Sequence, residues 1–208
     1  MKYDWKKAEK TIYAPNTKPS IVDVPTSSFI LIKGFGNPNS EAFQKRVEAL
    51  YSLSYAMRMS PKKGIAIPGY YEYTVYPLEG FWDLTEKGRT SATLWKDELL
   101  YTLMIKQPPF VTREVFEQFK RMVKENKKNP LIEEVNFLEI TEGLSVQMLH
   151  IGSYDDENKS FKLMQDFIKE HNYEIKTFVH KEIYLSDPRK TEPQKLRTIL
   201  RYHIKSKD

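Results

Sequence analysis

The stretch HKEIYLSDPRKTEPQKLRTILRY, residues 180–202, predicts two strands joined by a polar loop. Successive side chains of a strand alternate between its faces, so Glu182 and Tyr184 share one face. Pro188 ends the first strand, because proline has no backbone donor and forces the residue before it into an extended conformation. The second alternating run begins at residue 195 and has four residues on one face: Leu196, Thr198, Leu200 and Tyr202.

Glu182 stands in the middle of this apolar hairpin. An isolated buried carboxylate is unfavourable unless partners compensate its charge. The alternation alone leaves two interpretations open: Glu182 faces solvent on a two-sided strand, or it is buried for a functional reason.

The residues E-I-Y-L-S-D-P-R at 182–189, T-E-P at 191–193 and K-L-R-T-I-L-R at 195–201 resemble the closing hairpin of the GyrI-like small-molecule-binding family. This family includes the effector-binding domains of bacterial multidrug-responsive regulators and free-standing proteins. The resemblance implies that Glu182 lies at the floor of an aromatic-lined pocket, where it meets cationic or polar groups of bulky ligands.

An internal repeat predicts the fold. Shifting the sequence by 118 residues superposes Gly34 on Gly152 and Phe43 on Phe161, and each glycine precedes a helix. Each half therefore reads strand, strand, helix, strand, strand. We predict an α+β fold in which two such halves form one curved antiparallel sheet, with helices on one face and a central cleft, as the GyrI-like resemblance also implies.

The predicted domain organisation is an N-terminal arm at 1–18 followed by a single domain at 19–208. Its two repeats span 19–107 and 133–205, and a linker helix at 112–126 joins them. Apolar spacing predicts further helices at 40–59, with Ser40 as N-cap, and at 160–171. Strands are predicted at 21–24, 29–34, 70–78, 93–106, 135–140 and 144–151, and the 60–69 segment is predicted to be a loop.

The composition is typical of a globular protein, with 40% hydrophobic and 29% charged residues and a net charge of +5. The chain has no cysteine, no signal-peptide pattern and no apolar run that could cross a membrane, so we expect a cytoplasmic protein. Its most basic segment, residues 120–128, has interleaved glutamates. This pattern favours a solvated face over a nucleic-acid-binding surface.

The sequence contains no familiar catalytic motif. Its four histidines lack metal-ligand spacing, so we predict neither a metal nor a cofactor, and we expect His180 to be structural. Aromatic residues make up 13% of the chain and suit either a core or a ligand pocket. The candidate pocket walls are Tyr71, Tyr73, Trp82, Trp95, Tyr101 and Tyr184.

Two functions need the same pocket. In the first, the protein sequesters or senses bulky aromatic, often cationic compounds through Glu182 and the aromatic residues. In the second, it is a hydrolase that adds water to DNA-alkylating cyclopropanoid compounds, as some free-standing proteins of the GyrI-like family do. There Glu182 would be the acid–base group, and Tyr71 or Tyr101 would orient the substrate. The sequence does not decide between them, and it gives no oligomeric state.

Overall fold

The protein forms an α+β fold built on an eight-stranded antiparallel sheet, as the sequence predicts. The structure, a computed structural model, describes residues 2–91, 93–126 and 129–207. The strands are β1 (Ser20–Val24), β2 (Ser27–Phe35), β3 (Leu78–Leu84), β4 (Leu99–Lys106), β5 (Asn136–Ile140), β6 (Gly143–Ile151), β7 (Tyr173–Tyr184) and β8 (Arg197–Ser206). The helices are α1 (Trp5–Ala8), α2 (Lys10–Tyr13), α3 (Glu41–Arg58), α4 (Glu86–Thr90), α5 (Arg113–Asn126) and α6 (Glu157–Glu170).

The chain divides into two compact units. The first unit contains residues 2–4, 27–78 and 84–140. The second contains residues 5–26, 79–83 and 141–207. Both repeats show the predicted element order: β1-β2-α3-β3-β4 in the first repeat and β5-β6-α6-β7-β8 in the second.

The first unit packs α3 and α5 against the strands β4-β2-β5. Ser40 caps α3 as predicted, since its side chain accepts a hydrogen bond of 3.2 Å from the backbone N–H of Phe43. The buried face of α3 is apolar apart from Ser54 and includes Ala49, Leu50, Leu53 and Met57.

Gly34 of β2 allows a close approach inside this unit. Its partner across the strand pair is Tyr101 of β4. A Cβ at position 34 would overlap the Tyr101 ring and lie 2.7 Å from Nε of Arg46. We therefore expect Gly34→Ala to lower the free energy of unfolding by about 1–3 kcal/mol through overpacking.

Urea denaturation of Gly34→Ala tests this expectation. The exposed neighbour Lys33 gives a matched control, since Lys33→Ala should change stability by no more than about 0.5 kcal/mol. Equal stability of the two variants would contradict the predicted overlap.

The sequence prediction fails in two places in this unit. The predicted 70–78 strand does not form: residues 70–77 make a single parallel bridge between Tyr3 and Tyr73, and β3 begins only at Leu78. Backbone groups there bond to the N-terminal arm and to Arg58, whose Nε donates to the Tyr73 carbonyl, so no sheet ladder is needed. The predicted 93–106 strand begins only at Leu99, because a 3₁₀ turn occupies Lys96–Glu98.

The second unit contains five strands in the order β1-β6-β8-β7-β3. Helix α6 packs on one face of these strands. The apolar core of this face consists of Val146, Met148, Met164, Ile168, Leu200, Tyr202 and Ile204. In the part of the chain that the structure describes, no helix is long and apolar enough to cross a membrane.

The opposite face of these strands carries a buried ion network. Lys181 of β7 lies 2.6 Å from Glu79 of β3 and 2.5 Å from Glu142, and Arg201 of β8 lies 3.0 Å from Glu142. The N-terminal arm covers the network: the Tyr13 hydroxyl donates to Glu79 at 2.8 Å. The backbone carbonyl of Ile12 accepts from Arg201 at 3.1 Å.

Candidate functional site

Glu182 lies on the α6 side of the second unit. Adjacent residues of a strand face opposite sides, so Glu182 points away from the Lys181 network. Its neighbours across the ladders are Gly80 of β3 and Leu200 of β8. Glu182 is 9% exposed, which excludes the solvent-facing interpretation.

Aromatic and histidine side chains hold the Glu182 carboxylate. The Tyr184 hydroxyl donates to Oε2 at 2.7 Å, and Nε2 of His180 lies 3.1 Å from Oε1. The Trp82 indole N–H donates to the Tyr184 hydroxyl at 2.8 Å. The structure thus brings together three of the sequence-predicted site residues, Glu182, Tyr184 and Trp82.

His180 contacts Glu182 directly. Its structural role stays a prediction. Residues two apart share a strand face, so the spacing alone indicated this contact. The Phe161 ring packs against the imidazole with a centroid distance of 4.7 Å and orients it.

Glu157, the first residue of α6, is a site residue that the sequence analysis missed. It is 6% exposed, and the nearby charge of Glu182 raises its pKa. The predicted helix began at Ser160, three residues too late. Counting back from the inward residues Ile168, Met164 and Phe161 at helical spacing leads to Glu157, so the signal was present.

Burial, and then the nearby negative charge of Glu182, raise the pKa of Glu157 well above the ordinary glutamate range. Glu157 therefore keeps its proton to a higher pH than an ordinary glutamate does. The same environment raises the pKa of Tyr184, through burial and then the Glu182 charge. Burial, followed by the Glu182 charge, raises the pKa of Tyr154 to about 12.

The carboxylates on the two faces of the β7–β8 pair have different partners. Lys181 and Arg201 compensate Glu79 and Glu142 on one face. On the other face, within the described residues, Glu157 and Glu182 have no lysine or arginine partner. Buried carboxylates with lysine and arginine partners are typical of structural ion networks. Buried carboxylates without such partners are typical of functional sites.

The other predicted pocket residues lie in the first unit. Tyr73 is buried and packs against Phe110 at a centroid distance of 5.7 Å, and Tyr71 packs against Phe110 at 5.0 Å. Tyr101 of β4 packs edge-on against Phe43 at 5.1 Å. Their roles in ligand binding stay predictions.

Trp95 does not lie on a strand, contrary to expectation. It precedes the 3₁₀ turn, is 50% exposed, and has the ammonium of Lys87 at 5.0 Å from its ring centroid. Its indole N–H donates to Thr93 at 3.0 Å. A pocket role for Trp95 stays a prediction, now for a loop residue.

Part of the basic segment serves internal contacts. Nζ of Lys120 donates to the backbone carbonyls of Glu133 and Val135, and Lys124 pairs with Glu133. Lys127 and Lys128 lie outside the described residues. The described residues contain no cluster of histidine and acidic side chains that could hold a metal ion.

A surface depression of about 500 Å³ in the second unit is separate from Glu182. It is lined by residues of the N-terminal arm, β1 and Gln147. Its lining is mostly polar and includes none of the predicted aromatic residues. We therefore place the candidate site at Glu182, where the hydrogen-bonded functional groups converge.

Comparisons with known proteins agree with this fold. The family model of the GyrI-like small molecule binding domain matches residues 17–204. The chain therefore belongs to the GyrI-like small-molecule-binding family, and it contains a domain that binds small molecules.

Two solved structures from Listeria innocua are similar over almost the whole chain. One is a hydrolase with 36% identity and a TM-score of 0.89, covering 98% of this chain and 100% of the other. The second is an uncharacterized conserved protein with 37% identity and a TM-score of 0.91, covering 98% and 100%.

More distant structures share the fold alone. The C-terminal domain of EcmrR is 12% identical with a TM-score of 0.53, covering 91% of this chain and 98% of the other. A search of curated proteins found no match.

Proposed function

We propose that this protein is a hydrolase that binds a hydrophobic, aromatic electrophile beside Glu182 and opens its strained ring by adding water. The observation that carries the proposal is the environment of Glu182, a buried carboxylate that accepts from Tyr184, lies beside His180 and has no lysine or arginine partner among the described residues. Such a carboxylate can take a proton from a water molecule as that water attacks the substrate.

The surroundings of Glu182 suit an aromatic substrate. Trp82, Tyr184 and Phe161 offer flat apolar surfaces, and the Tyr154 ring stands at 90° to the Tyr184 ring with a centroid distance of 6.0 Å. The similarity to a Listeria innocua hydrolase at 36% identity further favours an enzyme over a sensor. Cyclopropanoid alkylators are the substrate class we propose, because a water molecule that is activated by a base can open their strained ring.

In this proposal Tyr184 is the tyrosine that assists Glu182, whereas the sequence predicted a substrate-orienting role for Tyr71 or Tyr101. Its hydroxyl bonds directly to Glu182, and the Trp82 indole fixes that hydroxyl from behind. Tyr184 thereby orients the carboxylate toward the attacking water. The roles of Tyr71 and Tyr101 stay predictions.

The test uses a spirocyclopropyl cyclohexadienone, whose hydration gives para-hydroxyphenethyl alcohol. We expect the wild-type protein to form this alcohol and Glu182→Gln to lower the rate by about 100-fold or more, since general base catalysis typically contributes that much. Product is measured by chromatography. Glu192→Gln, an exposed glutamate of the hairpin loop, is the matched control and should retain the wild-type rate.

A second candidate function is binding without turnover, favoured by the absence of a lysine or arginine partner for Glu182 among the described residues. An aromatic quaternary cation would then bind more tightly than a neutral compound of the same shape, and Glu182→Gln would remove that preference. Quenching of Trp82 fluorescence reports the binding, with Trp82→Phe as control for the other two tryptophans. If the spirocyclopropyl cyclohexadienone is recovered intact after incubation with the wild-type protein, the result supports binding without turnover over hydrolysis.

A further inference from the structure

His150 of β6 is a buried histidine that the proposed function does not use. We propose that His150 is a positioning residue, which holds the Tyr154 ring as a wall of the ligand site beside Tyr184. The proposal deepens the function given above and rests on it for the identity of the ligand. The position of the Tyr154 ring does not depend on that function.

Comparison of the two repeats shows that the fold does not require a histidine at this position. Under the shift of 118 residues, His150 of β6 corresponds to Ile32 of β2, and Ser160 of α6 corresponds to Ala42 of α3. His150 and Ser160 are both buried. The second repeat thus buries two polar side chains where the first repeat has an isoleucine and an alanine. Buried polar groups are unfavourable unless they are hydrogen-bonded, so the partners of His150 indicate its role.

Both ring nitrogens of His150 have hydrogen-bond partners. Nε2 lies 3.0 Å from the backbone carbonyl oxygen of Ser153, which can only accept, so Nε2 carries a proton. Nδ1 of the neutral ring then accepts from the Ser160 hydroxyl at 2.9 Å. His150 therefore joins β6 to the residue before the 3₁₀ turn Tyr154–Asp156 and to the N-terminal part of α6.

The chain around this turn accommodates the His150 ring. Gly152 has a φ of 144°, and a Cβ at position 152 would lie 3.3 Å from Nε2 of His150. The N-cap residue of α6, Asp156, makes no side-chain cap hydrogen bond, whereas the Ser153 hydroxyl accepts from the backbone N–H of Asp155 at 3.3 Å. The bond from His150 to Ser153 therefore fixes a capped turn against the sheet.

The turn that His150 holds carries Tyr154 to the site. The Tyr154 ring stands at 90° to the Tyr184 ring, and the Tyr184 hydroxyl donates to Glu182. Tyr154 is 36% exposed, so a compound bound beside Glu182 can contact its ring. Thr198 of β8 separates His150 from Tyr184 across the strand ladders. His150 therefore acts on the site through the turn.

Two substitutions separate the two bonds of His150. The amide nitrogen of glutamine can replace Nε2 and keep the bond to Ser153, whereas the side-chain oxygen of asparagine can replace Nδ1 and keep the bond to Ser160. With the spirocyclopropyl cyclohexadienone, we expect His150→Ala to raise KM about tenfold with kcat within about threefold, because an aromatic contact to the bound substrate is weakened. His150→Gln should recover most of this loss and His150→Asn little of it.

His171, an exposed histidine at the C-terminal end of α6, gives the matched control. His171→Gln should keep the wild-type KM. If the wild-type protein binds the dienone without turnover, the Kd from quenching of tryptophan fluorescence takes the place of KM for every variant.

A double variant tests whether His150 acts through Tyr154. Tyr154→Ala should itself raise KM, and adding His150→Ala to it should have no further effect. Effects of the two substitutions that multiply would overturn the proposal. A wild-type KM in folded His150→Ala, or equal KM values for His150→Gln and His150→Asn, would also overturn it.

Fluorine NMR of protein labelled with 3-fluorotyrosine tests the position of the ring without any ligand. The Tyr154 resonance is assigned by its loss in Tyr154→Phe, and we expect it to move in His150→Ala and to stay in place in His171→Gln. A resonance that stays in place in His150→Ala overturns the proposal. Absence of both turnover and binding in the wild type, with a resonance that moves in His150→Ala, overturns the proposed function and supports the positioning role.

Discussion

Lys181→Met is expected to lower the free energy of unfolding by about 3–5 kcal/mol, the usual effect of removing one partner from a buried ion pair. Lys181 and Arg201 are each 1% exposed, and Lys181 alone bonds to both Glu79 and Glu142. Without the ammonium, two buried carboxylates face one guanidinium. The change is measured by urea denaturation of the full-length protein.

The chain offers controls for this prediction. Lys176→Met, on an exposed position of the same strand, should change stability by no more than about 0.5 kcal/mol. Adding Glu79→Gln to Lys181→Met should recover part of the loss, because it removes the carboxylate that lost its partner. Additive losses in this double variant would mean that the two residues are not coupled.

The same network predicts a response to acid. Burial opposes the charge of Glu142, but Lys181 and Arg201 outweigh it, so its pKa lies well below the ordinary glutamate value. A carboxyl with a lowered pKa stabilises the fold above its unfolded pKa, and that contribution is lost as the pH falls. Lys181→Met should therefore be less sensitive to acid than the wild type.

The sequence predicted the fold well because its signals are local and repeated. The alternation at 182–202, the glycines at 34 and 152 and the spacing of α3 each reflect a periodicity that packing does not change. The 70–78 segment failed because its tyrosines pack against Phe110 and its backbone bonds to Arg58 and the arm. These are long-range contacts that β propensity cannot represent.

The site was predicted in part for a similar reason. Glu182, Tyr184 and Trp82 lie on strands whose faces follow from alternation. Glu157 comes from a different element, and its position near Glu182 depends on how α6 packs on the sheet. Because the predicted helix began about one turn too late, Glu157 was not recognised as a site residue.

The stability of the wild-type protein is expected to fall as the pH rises above about 5, through Glu157. Burial and the Glu182 charge raise the pKa of Glu157 above its ordinary value of 4.5. In that range the folded state holds a proton that the unfolded chain has released, so the free energy of unfolding decreases with pH. One proton gives a slope of at most about 1.4 kcal/mol per pH unit.

Glu157→Gln removes this slope because glutamine does not ionise. The variant should match the wild type in mildly acidic buffer and exceed its stability increasingly toward alkaline pH. Denaturation curves between about pH 5 and about pH 9 measure the difference, and the exposed Glu170→Gln should run parallel to wild type. A Glu157→Gln curve parallel to wild type would mean that Glu157 is ionised in the folded protein.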